Sequence, residues 1–225
     1  MKKVETYLQT APISPLAIEY PREIARIYAA AGYKAVIVTN RYDADVLAKL
    51  KQAVGGVDAL ELWLASFREL SKYGERAGFD VWLGAEVTVS KTRFGQLEQT
   101  DYLLYGIDEK FITDNARMYE YTAEQLYAAV RGVGGMVFEA HLFKDTCDIR
   151  RMTAVDGIAV TGDDCSFELS AAATKQGVLV MSGSEFHMRG DESKGGMLVD
   201  DSVRTYADFL DAVKDGKARA IDSGF

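Results

Sequence analysis

The chain has 225 residues, of which 48% are hydrophobic and 27% charged, so it can bury an interior and is not a disordered tail. Its net charge of −8 argues against nucleic acid and anionic membrane surfaces as partners, because both select basic faces. The sequence turns polar directly after Met1-Lys2-Lys3, and no stretch has the length of a transmembrane helix. We therefore expect one cytoplasmic domain covering residues 1–225.

In chain order, the hydrophobic pattern alternates strands with helices. Pro21 to Ala31 has Pro near its start and Gly32 after its end, which predicts a helix. Lys34 to Thr39 is a β-branched run typical of a buried strand. The same reasoning predicts further strands at 4–9, 81–89, 102–107, 136–141, 158–161, 178–182 and 218–221, and further helices at 57–77, 123–130, 167–175 and 206–214.

This alternation favours a parallel sheet with helical crossovers, and about eight strands suit a closed or nearly closed barrel. We predict long loops at 41–56, 90–100 and 186–202. Long loops in compact domains are often functional.

Polar residues gather where the predicted strands end, which is where α/β barrels carry their active sites. Both histidines of the chain, His141 and His187, lie at such ends, together with Glu86, Asp108 and Glu185. Imidazole and carboxylate ligands suit zinc, manganese or iron, and carboxylates can also bridge two metals that activate water. The pattern leaves two interpretations open, a metal or catalytic site and a merely polar barrel mouth.

A series of short motifs follows these strand ends in order: Glu5-Thr6-Tyr7-Leu8-Gln9, Thr39-Asn40-Arg41, Gly84-Ala85-Glu86, Gly106-Ile107-Asp108, Ala140-His141-Leu142, Ile158-Ala159-Val160-Thr161-Gly162 and Gly183-Ser184-Glu185-Phe186-His187. Over nearly the whole chain they resemble the PHP (polymerase and histidinol phosphatase) superfamily of metal-dependent phosphoesterases. The resemblance implies an α/β fold of the PHP type, a distorted (β/α)7 TIM-like barrel that holds two or three metals. The ligands it implies in this chain are Glu86, Asp108, His141 and Glu185.

The departures from the family pattern fall on metal ligands. Tyr7 and Gln9 stand where the family has its first two ligands, and Arg41 replaces a histidine ligand. A phenol and an amide oxygen are poor ligands for transition metals, and a guanidinium cannot coordinate at all. The site that would keep three protein ligands consists of Glu86, Asp108 and His141. We therefore expect either one divalent metal (Zn, Mn or Fe) or none.

Electrostatics favours an orientation in which the Arg41 guanidinium points into the pocket formed by these carboxylates. Carboxylates that lose their metals repel one another unless they take up protons or find a cation. We hypothesise that Arg41 projects into the former metal site and pairs with Glu185, Glu86 or a bound anion. The residues predicted to bind substrate are Arg41, Arg189, Tyr7 and Gln9. The predicted catalytic residues are Arg41 and His187, of which His187 donates a proton to the leaving group.

Three functions follow from these observations. The first is a PHP-like homologue with weak or no hydrolysis that binds a small phosphorylated molecule. The second is an active metal-dependent phosphoesterase that uses the reduced site of Glu86, Asp108 and His141. The third is an unrelated barrel that shares only the fold.

Overall fold

The computed structural model describes residues 1–53, 55–93, 96–141, 154–161 and 173–221, without the side chains of 91–93, 96 and 97. The strands are β1 (Lys2–Leu8), β2 (Tyr33–Val38), β3 (Arg41–Tyr42), β4 (Asp80–Leu83), β5 (Ala85–Arg93), β6 (Gln96–Tyr105), β7 (Met136–Glu139), β8 (Gly157–Thr161), β9 (Leu179–Gly183), β10 (Met197–Val199) and β11 (Arg219–Ala220). The helices are α1 (Pro21–Ala30), α2 (Ala44–Ala53), α3 (Ala59–Ala77), α4 (Glu109–Asp114), α5 (Ala123–Gly132) and α6 (Tyr206–Lys214), with a 3-10 turn at Met118–Glu120.

The strands form two sheets, in the orders β11-β10-β1-β2-β4 and β3-β5-β6-β7-β8-β9. Parallel pairing joins β1 to β2, β2 to β4, β3 to β5, β7 to β8 and β8 to β9. Within the second sheet β6 alone runs in the opposite direction, because it pairs antiparallel with both β5 and β7. The predicted mixed α/β fold with parallel strands is confirmed, but the parallel pairing is wrong for β6, which runs antiparallel to β5 and β7, and for β10, which runs antiparallel to β1 and β11.

All three predicted long loops contain regular structure. The segment 41–56 holds β3 and α2, and 186–202 holds β10. The segment 90–100 belongs to the antiparallel hairpin of β5 and β6, whose register runs from Ala85 opposite Leu104 to Arg93 opposite Gln96. Val87 and Val89 alternate with the polar Thr88 and Ser90, which is the period-two signal of a strand, but the apolar side of this alternation ends at Lys91, inside the predicted loop.

The predicted strand at 81–89 is two strands separated by Gly84. The Gly84 amide donates to the Val38 carbonyl (2.8 Å), which keeps it beside β2. A Cβ at this position would lie 2.7 Å from the Leu104 carbonyl oxygen in the second sheet. Glycine therefore lets the chain pass closely from one sheet into the other.

The sheets also meet where β1 and β9 end. The Phe186 amide donates to the Tyr7 carbonyl (2.9 Å), and the Gln9 amide donates to the Phe186 carbonyl (3.1 Å). These bonds place the residues after β1 beside the residues after β9.

The helices predicted at 21–31, 57–77, 123–130 and 206–214 are present, whereas α2 and α4 were missed. Asp58 caps α3 by accepting from Leu60, and Gly78 ends it in the left-handed conformation at φ 84°. The helix predicted at 167–175 lies largely outside the described residues. None of the helices in the described part of the chain combines the length and apolar character required to cross a membrane.

Candidate metal and substrate site

A cavity of about 610 Å³ opens where β1, β7 and β9 end and where β3 and β5 begin. Most predicted site residues line it, although they come from both sheets. Its polar walls include Gln9, Arg41, Glu86, Asp101, His141 and His187.

Three potential metal ligands meet in this cavity. One ligand atom from each of Glu86, Asp101 and His141 lies within 4.8 Å of the other two. Glu86 is 2% exposed, and its carboxylate faces the cavity from β5. Among the residues that the structure describes, this is the group of histidine and carboxylate side chains with metal-binding geometry.

Asp101, and not the predicted Asp108, is the third member of this group. Asp108 follows β6, and because β6 is reversed, its carboxyl end lies at the opposite end of the sheet. There the Asp108 carboxylate caps α4 by accepting from the Phe111 amide (2.7 Å) and lines a different cavity. Asp101 lies within β6, directly opposite Thr88. Gln99, Thr100 and Asp101 are all polar, so no apolar alternation in the sequence marks this part of β6 as a strand.

Each metal-binding candidate is held by a neutral hydrogen-bond partner. The Gln9 amide donates to Oε2 of Glu86. The Thr88 hydroxyl donates to Oδ1 of Asp101 (2.6 Å). The Tyr7 hydroxyl lies 3.1 Å from Nε2 of His141. Such partners fix the orientation of ligands.

Tyr7 and Gln9 therefore differ in what they can reach. Gln9 lines the cavity, as a substrate-binding residue must. Tyr7 is 1% exposed, and its hydroxyl is directed at His141. Direct contact between Tyr7 and a ligand in the cavity is not supported by this position.

Arg41 projects into the cavity beside Glu86, its partner in the β3–β5 register. Its Nε forms an ion pair with Asp43 (2.7 Å), and its Nη2 donates to the Thr88 hydroxyl (3.1 Å). The hypothesis that the head points inward agrees with this geometry. Its ion-pair partner is Asp43, however, and not Glu86 or the predicted Glu185.

Glu185 approaches the group from the other side, with Oε1 3.7 Å from Nε2 of His141. Glu185 and His141 have φ angles of 49° and 56°, which non-glycine residues seldom adopt. Such strain persists only where the surroundings enforce it, and it is common at functional sites.

The buried carboxylate of Glu5 supplies part of this enforcement. It is fully buried and accepts five hydrogen bonds, from the amides of Thr6, Tyr7 and Ser184 and from the hydroxyls of Tyr28 and Ser184. Burial raises the pKa of Glu5, while these donors act to lower it. One side chain thus fixes the backbone of Tyr7 and the residue preceding Glu185.

His187 lines the cavity with a buried Nε2 that has no hydrogen-bond partner among the described residues. Burial lowers its pKa, although Asp191 opposes this effect. An unsatisfied buried nitrogen requires an explanation such as a ligand or a water molecule. Arg189, also predicted to bind substrate, is instead exposed and pairs with Glu23 of α1.

The electrostatics of the cavity fit a cation. Burial raises the pKa of Glu86 to about 8, and the negative charge of Asp101 acts in the same direction. Arg41 lowers this pKa but does not neutralise the pair. A divalent ion would favour both ionised carboxylates, so the residues present fit a metal.

Solved structures share this fold. A scan of protein-family models gives no match to the sequence, and a search of curated proteins gives no significant match. A two-domain protein from Bacteroides vulgatus, containing a predicted PHP-like metal-dependent phosphoesterase, superposes with a TM-score of 0.69 at 14% identity and covers 97% of this chain. The chain spans 64% of that protein's length.

Two further structures have similar folds. PsfC from Pseudomonas syringae has a TM-score of 0.66 at 19% identity, over 97% of this chain and 90% of its own. An amidohydrolase from Chromobacterium violaceum, solved with bound sulfate and no metal, has a TM-score of 0.59 at 15% identity, over 93% of this chain and 96% of its own. At these identities the likeness shows a common fold, and function rests on the site.

Proposed function

We propose that the chain binds one divalent metal ion through Glu86, Asp101 and His141 and slowly hydrolyses a small phosphate ester. The observation that carries this proposal is the approach of the three ligand atoms to within 4.8 Å of one another. Two carboxylates and an imidazole suit zinc, manganese or iron, and three protein ligands leave a position for water. The description of the Bacteroides vulgatus protein as containing a PHP-like phosphoesterase supports the reaction class.

A metal held by Glu86, Asp101 and His141 would supply a bound water of lowered pKa and would polarise the phosphoryl oxygen. In the hydrolysis, the water oxygen would bond to phosphorus as the ester P–O bond breaks, and the proton lost by the water would pass to the leaving alcohol. Glu185, 3.7 Å from His141, is placed to become a fourth ligand or to accept the proton of the attacking water.

Arg41 and His187 are the proposed donors to the phosphate group. Both line the cavity, and Nε2 of His187 is buried without a partner among the described residues. A guanidinium and an imidazole N–H donate to phosphate oxygens and would offset their negative charge beside the carboxylates. Arg189 is not included, because its exposed head pairs with Glu23.

We propose slow turnover because Tyr7, Gln9 and Arg41 supply no further ligands. Tyr7 and Gln9 hydrogen-bond to His141 and Glu86 but add neither charge nor a further ligand atom, and Arg41 brings a permanent cation. The family resemblance implies two or three metals, and one ion lacks the second charge that clamps a phosphate. Retention of ligand binding without hydrolysis is the alternative, which the same cavity would support.

The proposal includes a closed (β/α)7-type barrel in one domain. Two junctions between the sheets support closure, the passage through Gly84 and the bonds that link Phe186 to β1. The site lies along these junctions, which explains how one cavity draws residues from both sheets.

The test is the metal content of the purified protein, measured by elemental mass spectrometry without chelators. We expect about one equivalent of zinc, manganese or iron per chain, the count of a three-ligand site. The variants Asp101→Asn and His141→Ala should lose it.

Asp108→Asn is the matched control, because it makes the same chemical change at the residue that the family pattern suggested. Asn is as good an N-cap as Asp, so α4 should remain intact and the metal should stay bound. Loss of metal in Asp108→Asn, or retention in Asp101→Asn, would overturn the assignment of ligands. A folded wild-type protein without stoichiometric metal would favour the binding-only alternative.

A further inference from the structure

Exposed apolar side chains are concentrated beside the cavity. Leu16 and Ile18 are 67% and 59% exposed, and Met188 is 44% exposed. The two segments that carry them are joined, since the Ile18 amide donates to the His187 carbonyl (2.8 Å). Three of the large exposed apolar residues in the described part of the chain thus lie on two linked segments.

This apolar rim, defined as Pro15, Leu16, Ile18 and Met188, is continuous with the cavity. Pro15 and Leu16 line the cavity themselves, and Met188 follows His187, which also lines it. The rim therefore does not form a separate face that needs its own partner. A ligand held at Arg41 and His187 would extend towards Leu16.

The size of the cavity indicates that the ligand has an organic part. Its volume of about 610 Å³ lies in the range of pockets that hold whole small molecules, about 300–1,000 Å³. The charged side chains of the cavity are Arg41, Asp43, Asp45 and Lys49 near β3 and α2, and Glu86, Asp101 and Glu185 around the metal group. The rim itself offers no side-chain donor or acceptor for a sugar hydroxyl or a nucleobase.

We propose that the apolar rim binds the organic group of the substrate, so that the substrate is a phosphate ester of an apolar alcohol or phenol. This inference rests on the proposed function for the phosphate end of the ligand, while the rim determines the selectivity. Leu16 is the main specificity-determining residue, because it both lines the cavity and is widely exposed. Contact with an apolar ligand would remove this surface from water.

The test compares two non-hydrolysable ligands by isothermal titration, benzylphosphonate and methylphosphonate, with the metal-loaded protein. They share the anionic group and differ in the apolar one. We expect benzylphosphonate to bind at least about tenfold more tightly, as the contact of a ring with apolar side chains predicts. Leu16→Gln and Met188→Gln should remove most of this preference while leaving methylphosphonate binding within twofold.

Val57→Gln is the control, because Val57 is an exposed apolar residue (41%) that lies before α3 and does not line this cavity. It should behave as the wild type. Equal affinity for the two phosphonates, failure of both to bind, or equal loss in Leu16→Gln and Val57→Gln would overturn the inference.

Hydrolysis is measured separately, as phosphate release from phenyl phosphate and glycerol 3-phosphate. Preference for benzylphosphonate without release from either ester would support the rim and contradict the proposed hydrolysis. Release from both esters at equal kcat/KM would contradict the rim and support the proposed hydrolysis.

Discussion

Tyr7 is not a ligand of the proposed metal site, but it lies beside one of the proposed ligands. Its buried ring packs near His141, with ring centroids 6.1 Å apart, and its hydroxyl lies 3.1 Å from Nε2 of that histidine. Burial and the neighbouring charge of Glu86 raise its pKa well above the ordinary value, so the phenol stays neutral. A neutral hydroxyl can orient the imidazole but adds no charge to the site.

The variant Tyr7→Phe tests this role. The ring remains, so we expect stability to fall by only about 1 kcal/mol, the net value of one hydrogen bond. Metal affinity should fall about tenfold, as is common when a group that orients a ligand is lost. The measurements are metal titration and urea unfolding of the metal-free protein.

Tyr105→Phe is the matched control for the same change. Its hydroxyl is equally buried but donates to the Thr6 carbonyl (3.1 Å), and among the described residues it does not hydrogen-bond to Glu86, Asp101 or His141. It should lose similar stability and keep the metal affinity of the wild type. Equal metal affinity in both variants would show that Tyr7 does not orient His141.

Single residues of the site were predictable where they follow a parallel strand. Glu86, His141 and Glu185 lie together in the structure as expected, because the carboxyl ends of parallel strands meet at one edge. Asp101 was not predicted, and Asp108 was misplaced, because both depend on the reversed direction of β6. Strand direction is set by pairing between distant segments, which a local pattern does not contain.

Among the elements, the turn after β9 carries the cavity residue His187 and is organised by Asp191. Oδ2 of Asp191 accepts from the amides of His187 and Met188, both at 3.0 Å, and its other oxygen pairs with Lys194 (3.1 Å). Burial acts to raise the pKa of Asp191, but these bonds outweigh it and hold the pKa below its ordinary value.

This shift predicts a pH-dependent contribution to stability. A carboxylate with a depressed folded pKa stabilises the fold above its unfolded pKa of about 3.9, and the contribution is lost as pH falls through the lower folded value. In metal-free protein at pH 7, Asp191→Ala should lower the free energy of unfolding by about 1–2 kcal/mol. The difference from wild type should shrink at pH 3.

Urea unfolding at pH 7 and pH 3 provides the measurement. Asp201→Ala is the control, because Asp201 is 73% exposed and its ion pair is with the amino terminus, so little change is expected at either pH. If Asp191→Ala lowers the free energy of unfolding by the same amount at pH 7 and pH 3, the assigned pKa shift of Asp191 is contradicted.

Elements were predicted best where one face is buried over a long segment. The helix α3 was expected from its apolar spacing and from Gly78, and both features are present. The hairpin of β5 and β6 was missed in part because its outer residues are polar and resemble a loop in composition. The break at Gly84 could not be predicted, since it depends on the Leu104 carbonyl of a distant strand.

At the scale of the whole molecule, the site lies where the two sheets meet. Gln9 follows β1 of the first sheet, whereas Glu86 and Asp101 belong to β5 and β6 of the second. The hydrogen bonds that join the sheets, including those of Phe186 to β1, therefore also fix the distances within the site.

The last prediction tests whether the backbone places Tyr7, Gln9 and Arg41 at positions where histidines would bind a second metal ion. The triple variant Tyr7→His, Gln9→His and Arg41→His adds three imidazoles and removes one permanent cation from the cavity. Because Arg41 pairs in register with Glu86, the new histidine would lie beside an existing ligand. We expect the metal content to rise from about one to about two equivalents and hydrolysis of phenyl phosphate to increase at least tenfold, the scale of the second charge in a two-metal clamp.

Arg41→Gln alone is the control, because it removes the cation without adding a ligand. It should tighten the binding of a single ion, since a nearby positive charge opposes a metal, and it should not change the stoichiometry. A folded triple variant that keeps one equivalent would mean that the backbone around β1 and β3 no longer places these positions for a second metal. A rise to two equivalents without faster hydrolysis would locate the loss of activity outside the ligands, in the groups that hold the phosphate, where Arg41 itself is the first candidate.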